Sequence, residues 1–507
     1  MKSKLIIKAL LLGSIWGSCS KSSNTMPSRS ATINPVSDLQ VAYDSVKNEI
    51  DINWTNPINS SLAKVKISYS PDDPNPQASD SILILAAQSG TKASATLHVF
   101  SLKQYTINIV AINSAGVLSQ PISTKIKIGS TPLFLKRADT LMSSLFRLYF
   151  NDVQNGVDIW TDQYPKGSGY WNDAAVIWGQ GAAFSGFAAL KEASESFASY
   201  KAKYASYDNT LANSINTFLT TQGQKPQNTV SAYAVYPQNG NERFYDDNIW
   251  IGTDMIDLYM LTKSPFYLTH AKLVWNFVLS GTDAMFGGGV HWQENTTSKN
   301  TCSNMPAVVL AAKLYQATGQ ESYLDSAKRI YSWCKTNLQD PSDYLYWDNV
   351  NYNNNNIIVV DKSKYTYNSG QAIEAGALLY NITKDGSYLK DAQNVASSIF
   401  KQWGTQFNSA ILNKTFTAID PAGHVWFRAV MLRGLIELYK IDKNREYINA
   451  YEDLLDNAWL SNCRQPNTYL LNYDFRGGTT QNSWGILYEG ACVEMLARLG
   501  ALESEGL

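Results

Sequence analysis

No surplus of charge marks this chain: 42 Lys and Arg stand against 43 Asp and Glu, a formal net charge of −1, and no Lys/Arg run follows the N-terminus. That balance offers no basic patch, so nucleic acid and anionic surfaces are excluded as main partners. Histidine is scarce, and His98, His270, His291 and His424 form no ligand set. Cysteine is nearly as rare. Cys302, Cys334, Cys463 and Cys492 show no close C-x-x-C spacing and lie near no His cluster, which argues against zinc. They are expected to pack as small apolar residues. No metal or cofactor is expected. Charged residues are only 17 %, whereas aromatics reach 12 %, with 14 Trp and 30 Tyr. Sugars present apolar C–H faces that stack on such rings, so the composition fits a carbohydrate-handling protein, although a large core absorbs Trp and Tyr equally well. A length of 507 residues allows two or three domains.

The N-terminus is basic at Met1-Lys2-Ser3-Lys4, then apolar from Leu5 to Ile15, a stretch too short to span a bilayer. Trp16-Gly17-Ser18-Cys19 follows, with two small residues before a cysteine. Residues 1–19 resemble a bacterial lipoprotein signal, cleaved before Cys19, which would carry the lipid. Residues 20–31 are Ser-, Lys-, Asn-, Thr- and Pro-rich and read as a flexible tether. The resemblance implies a cell-envelope protein anchored to the membrane, and the lack of an acidic cluster after Cys19 points to the periplasm rather than the cell surface.

Residues 32–129 alternate with period two. Glu49-Ile50-Asp51-Ile52-Asn53-Trp54 and Ala63-Lys64-Val65-Lys66-Ile67-Ser68-Tyr69 are strand patterns, separated by turn-forming Thr55-Asn56-Pro57 and Pro71-Asp72-Asp73-Pro74. The run from Leu102 to Asn113, led by Tyr105, resembles the end of a fibronectin type III domain, with Trp54 as its core tryptophan. A small all-β sandwich is expected, serving as a spacer or docking module.

From about residue 133 to 507 the period is helical. Leu258-Tyr259, Leu314-Tyr315, Leu379-Tyr380 and Leu438-Tyr439 are each followed, eight residues after the Tyr, by another Tyr: Tyr267, Tyr323, Tyr388 and Tyr447. Each unit reads as a helix, a short turn and a returning helix. The count gives helix starts near Trp178, Asp246, Asn304, Asn368, Trp426 and Trp484, alternating with helices near Ala138, Tyr204, Tyr267, Tyr323, Tyr388 and Tyr447. Six hairpins of this kind close into a ring. An open tetratricopeptide-like superhelix is disfavoured, because its repeat of roughly 34 residues is much shorter.

A closed ring starts all six inner helices on one face. Its rim then gathers Trp178, Gln180, Asp246, Asp247, Asn248, Asn304, Tyr367, Asn368, Gln371, Trp426, Arg428 and Trp484, with Asp173 and Trp292 from loops. Asp246 and Asp247 open one helix. Adjacent carboxyls there lie on the order of 5 Å apart, the separation that retaining glycoside hydrolysis uses. Two negative charges that close raise the pKa of one, so one carboxyl stays protonated as an acid. The residues do not say which. Asp254 and Asp257, farther along the helix, are expected to be structural acids.

Residues 133–505 resemble glycoside hydrolase family 76, the α-1,6-mannanases, through Tyr245-Asp246-Asp247-Asn248-Ile249-Trp250, Gly287-Gly288-Gly289-Val290-His291-Trp292, Asn304-Met305-Pro306-Ala307 and Thr366-Tyr367-Asn368-Ser369-Gly370-Gln371. The resemblance implies an (α/α)6 barrel and retaining hydrolysis of internal α-1,6-mannosidic bonds in α-mannan. It makes Asp246 the nucleophile and Asp247 the general acid/base. Trp178, Asn248, Trp292, Asn304, Tyr367, Asn368 and Arg428 are expected to bind substrate, and the protein to act as a monomer. A non-catalytic glycan-binding lipoprotein and a transglycosylase on the same ring are the competing readings.

Overall fold

The computed structural model describes residues 32–44, 49–71, 81–98, 104–128, 131–154, 156–167, 173–224, 229–238, 240–420 and 423–505. The signal, the tether and Cys19 lie outside these residues. Among the described residues the first domain has seven strands: β1 (Ser37–Asp44), β2 (Glu49–Thr55), β3 (Leu62–Pro71), β4 (Ser81–Ala86), β5 (Lys92–His98), β6 (Gln104–Asn113) and β7 (Ile122–Lys127). They form two antiparallel sheets, β1-β2-β5 and β4-β3-β6-β7. Period two is visible in β6, where Tyr105, Ile107, Ile109 and Ala111 are buried and their neighbours are not. Trp54 is buried in this core, and its indole N–H donates to Asn56 Oδ1 at 2.8 Å.

The rest of the described chain is mainly helical. In order the helices are α1 (Leu133–Leu148), α2 (Ile177–Ser194), α3 (Ala198–Ala205), α4 (Asp208–Asn216), α5 (Tyr245–Thr262), α6 (Pro265–Ser280), α7 (Thr301–Thr318), α8 (Glu321–Leu338), α9 (Thr366–Thr383), α10 (Gly386–Trp403), α11 (Val425–Asp442), α12 (Glu446–Leu460) and α13 (Ile486–Glu505). Helices α2, α5, α7, α9, α11 and α13 each pack on the next, and α13 returns to α2, closing an inner ring. The others return outside it. Inner helices are covered on both sides, so they are buried nearly all round: every residue of α7 from Thr301 to Leu314 is buried. Outer helices such as α8 and α10 keep one polar face. Neighbours in the ring approach closely through glycine. A Cβ on Gly370 would lie 2.5 Å from Met431 Cα, and one on Gly434 would collide with the Gly370 carbonyl.

The Leu-Tyr repeat marks a shared helix stop. Lys263, Gly319, Lys384 and Lys443 adopt left-handed conformations (φ 60°, 69°, 60° and 59°), and each backbone N–H donates to the carbonyl of the repeat tyrosine four residues back. Where the stop is lysine, its ammonium lies over that tyrosine ring at 5.5–5.6 Å. Two expectations need adjustment. One outer position is divided between α3 and α4. Trp484 precedes α13 and pairs with Tyr164 in a short bridge, so it opens no helix.

The sandwich stands at the rim where the inner helices end. Tyr43 is within electrostatic reach of Glu503, near the end of α13, and of Arg137 in the first turns of α1. Tyr105 stands in the same relation to Arg445, which caps α12.

Candidate active site

Helical geometry sorts the residues at the opposite rim. Each residue turns a helix by about 100°, so second and fourth residues point nearly opposite ways. In all six inner helices the fourth residue faces the surrounding chain and secures it. Asn248 accepts from the Tyr233 N–H at 2.7 Å and donates to the carbonyls of Tyr233 and Phe244. Asn304 repeats this with Val290 and Asn300. Gln180 brackets Trp160, Ser369 accepts from the Tyr346 N–H, and Glu489 accepts from the Leu471 N–H. Arg428 donates to the carbonyls of Ile419 and Tyr473 and lies over the Phe475 ring. Asn248, Asn304 and Arg428 are therefore buried and occupied by backbone. They hold the walls of the site, which corrects the expectation that they contact substrate.

Second residues face the axis. Trp426 lies edge-on to Trp178 at 5.4 Å and tilted against Tyr367 at 5.9 Å. Cys302 reaches Asp246. Trp178, Tyr367 and the two aspartates are half-buried, while Trp292 is 36 % exposed.

The two carboxyls live in different surroundings. Asp246 Oδ1 accepts the backbone N–H of Asp247 at 3.0 Å, and its Oδ2 accepts the Trp292 indole N–H at 3.0 Å and the Cys302 S–H at 3.3 Å. Burial raises its pKa to about 6, and these donors, by favouring the charged form, limit the rise. Among the described residues no hydrogen-bond donor reaches the Asp247 carboxyl. Burial pushes it well above the carboxylate range, and the charges of Asp246 and Glu242 push further. These surroundings favour the charged form at Asp246 over Asp247.

Trp292 is placed by a braced loop. Its carbonyl accepts the first N–H of α5, from Tyr245, and Phe244 bridges to Gln293. Beside that bridge the buried Arg243 guanidinium grips Glu294 through two hydrogen bonds of 2.8 and 2.9 Å. The glycine run wraps an ammonium: Lys299 Nζ donates to Asp283 Oδ1 and to the carbonyls of Met285, Gly288 and Gly289. Gly289, at φ +84°, has no room for a Cβ against Trp333. His291 faces Asp283 and is buried, so it does not meet the mouth. Trp484 is likewise buried, its indole N–H on Asn472.

The fold thus gathers Trp178, Asp246, Asp247, Trp292 and Tyr367, with Asn368 fully buried behind them. It adds three residues the motifs did not single out. Asp348, on the strand Trp347–Tyr352, accepts from Asn368 Nδ2 at 3.2 Å and from Asn349, and burial raises its pKa. His424 caps α11 at the rim, edge-on to Trp178 at 5.7 Å and stacked on Tyr488. Cys302 is the third. Neither Asp348 nor His424 lies within a helix, so a count of helix starts passes them by.

Below the mouth the ring is filled by charge. Asp254 accepts from Ser185 at 2.5 Å and faces Arg433, which grips Glu494 at 2.6 and 3.0 Å; Lys313 joins Asp257 and Glu374.

Two adjacent carboxyls in unequal surroundings, one with three donors and one with none among the described residues, at a mouth walled with indole and phenol rings, give this helical ring the equipment of a glycosidase. The family model described as glycosyl hydrolase family 76 matches residues 135–501, well over half of the chain, and the chain belongs to that family. A family 76 structure from a bovine Bacteroides thetaiotaomicron strain is 34% identical, with a TM-score of 0.70 over 92% of this chain and 99% of the other, a match that reaches past the family segment. A family 76 mannosidase from Bacteroides thetaiotaomicron VPI-5482 is 42% identical, with a TM-score of 0.69 over 74% of this chain and 100% of the other. The mannan endo-1,6-alpha-mannosidase DCW1 of Saccharomyces cerevisiae is 27% identical over 48% of this chain and 56% of its own length. The chain spans about half the length of that relative.

Proposed function

We propose that this chain is a retaining, endo-acting α-1,6-mannosidase that hydrolyses the backbone of α-mannan. Family membership, the 42%-identical mannosidase and the DCW1 relative support the substrate class. The unequal hydrogen bonding of the acid pair carries the roles. Asp246, with three donors, is the nucleophile; Asp247, with none, is the acid. Asp246 attacks the anomeric carbon while Asp247 protonates the departing oxygen, giving a glycosyl ester. Water, deprotonated by Asp247, then releases the sugar with its configuration retained. Trp178, Trp292 and Tyr367 supply stacking faces, and Asp348, held by Asn368 from behind, supplies a hydroxyl partner.

In this reading Cys19 carries a lipid that holds the enzyme in the bacterial envelope on the periplasmic side. The sandwich is a fibronectin type III-like spacer, and the enzyme works as a monomer. The test is incubation with α-1,6-mannan, following reducing ends and, by NMR, the anomer first released. Oligosaccharides with the α anomer formed first are expected. A β anomer overturns retention, binding without cleavage overturns the enzyme, and lengthened products make sugar rather than water the acceptor.

A further inference from the structure

We infer that Cys302 and Tyr367 form a hydrogen-bond relay that positions the Asp246 carboxylate and favours its charged form. The inference rests on the nucleophile role given to Asp246 above. Asp246, Cys302 and Tyr367 are the second residues of three successive inner helices, α5, α7 and α9, so the ring itself brings them side by side. Cys302 is 3 % exposed, with Sγ 3.3 Å from Asp246 Oδ2. Burial keeps its thiol protonated, and a protonated thiol both donates and accepts. Behind it stands Tyr367, whose hydroxyl lies near enough to the thiol to bear on its charge. The phenol ring cannot swing freely, being stacked on Phe427 with centroids 4.0 Å apart. In the inferred relay the Tyr367 O–H donates to the sulfur and the S–H donates to the carboxylate, the second bond being the one of 3.3 Å between Sγ and Asp246 Oδ2. Trp292 approaches the same oxygen from the loop.

The other groups facing the pair are Glu242, ahead of α5, and Asp348, from the strand beside α7. Both are acids, and neither donates to Asp246 as an anion. No proton moves along the relay during turnover. As the glycosyl ester forms, the negative charge leaves Asp246 and the thiol remains a donor to the ester oxygen.

The experiment is the pH dependence of kcat/KM on α-1,6-mannan for the wild type, Cys302→Ala, Cys302→Ser and Tyr367→Phe, with thermal unfolding of each. The wild-type acid limb is expected near pH 6, where Asp246 loses its proton. Removing a donor to a carboxylate raises its pKa, so the limb of Cys302→Ala moves upward by roughly half to one unit. Its kcat falls roughly tenfold below the limb, with KM little changed. Cys302→Ser, which keeps a donor, restores the wild-type limb, and Tyr367→Phe shifts it by less than Cys302→Ala. An unmoved limb in Cys302→Ala overturns the relay, as does an equal shift in Cys302→Ser, which would make the effect one of packing. If Cys302→Ala fails to fold, an unmoved limb in Tyr367→Phe overturns it. A wild type that leaves mannan intact fails at the earlier step and removes the nucleophile role together with the relay.

Discussion

At one rim the six inner helices begin and at the other they stop, and the two ends carry acids in opposite ways. The starting rim offers unpaired backbone N–H groups and the positive end of each helix dipole, which suit carboxylates. Asp246 and Asp247 stand there without a cation beside them among the described residues. At the stopping rim a cavity of about 350 Å³ is lined by Lys313, Arg433, Lys440 and Arg498 facing Glu192, Asp257, Glu374, Glu437 and Glu505. There charge meets charge: Lys313 with Asp257 and Glu374, and Lys440 with Glu437. Arg433 and Arg498 share Glu494. Acids left without cations are poised for chemistry, whereas acids matched with cations hold helices together.

Substitutions at the two ends should therefore separate rate from stability. Asp246→Asn and Asp247→Asn should each lower turnover on the order of 10⁴-fold or more, while the thermal midpoint holds or rises because a half-buried acid that no cation offsets is replaced by a neutral amide. Arg433→Met should do the reverse. It strands Asp254 and Glu494 in the ring and costs about 3–5 kcal/mol in chemical denaturation, while the surviving folded fraction keeps its mannan cleavage. The smallest change belongs to the turns at the stopping rim. Lys384→Gly relieves the left-handed backbone but frees the unfolded chain, so stability should change by less than about 0.5 kcal/mol. Lys384→Val, branched at the same φ, should cost about 1–2 kcal/mol. A full thermal-denaturation series on purified protein checks both.

Periodicity made the ring legible, since Leu-Tyr recurs where each helix must stop and turn. Adjacent aspartates opening a helix are by themselves most simply a cap, and the acid pair was legible only because the ring gathers aromatics and amides at the same rim. What the sequence concealed was direction. Asp246 and Asn248 lie two residues apart at the same helix start, yet about 200° of rotation separates mouth from wall. The same rotation turns Arg428 and Asn304 away from the mouth. Asp348 stayed hidden because its strand reaches the mouth only through tertiary packing with Lys299–Asn300 ahead of α7. The competing readings shared this rim, so composition alone did not separate them.

Ion pairs of Asp254, Arg433, Glu494 and Lys313 fill the ring below the mouth. On the proposed reading, a polymer then has no path along the ring axis among the described residues; it lies across the mouth, and both fragments depart from the side on which the chain arrived.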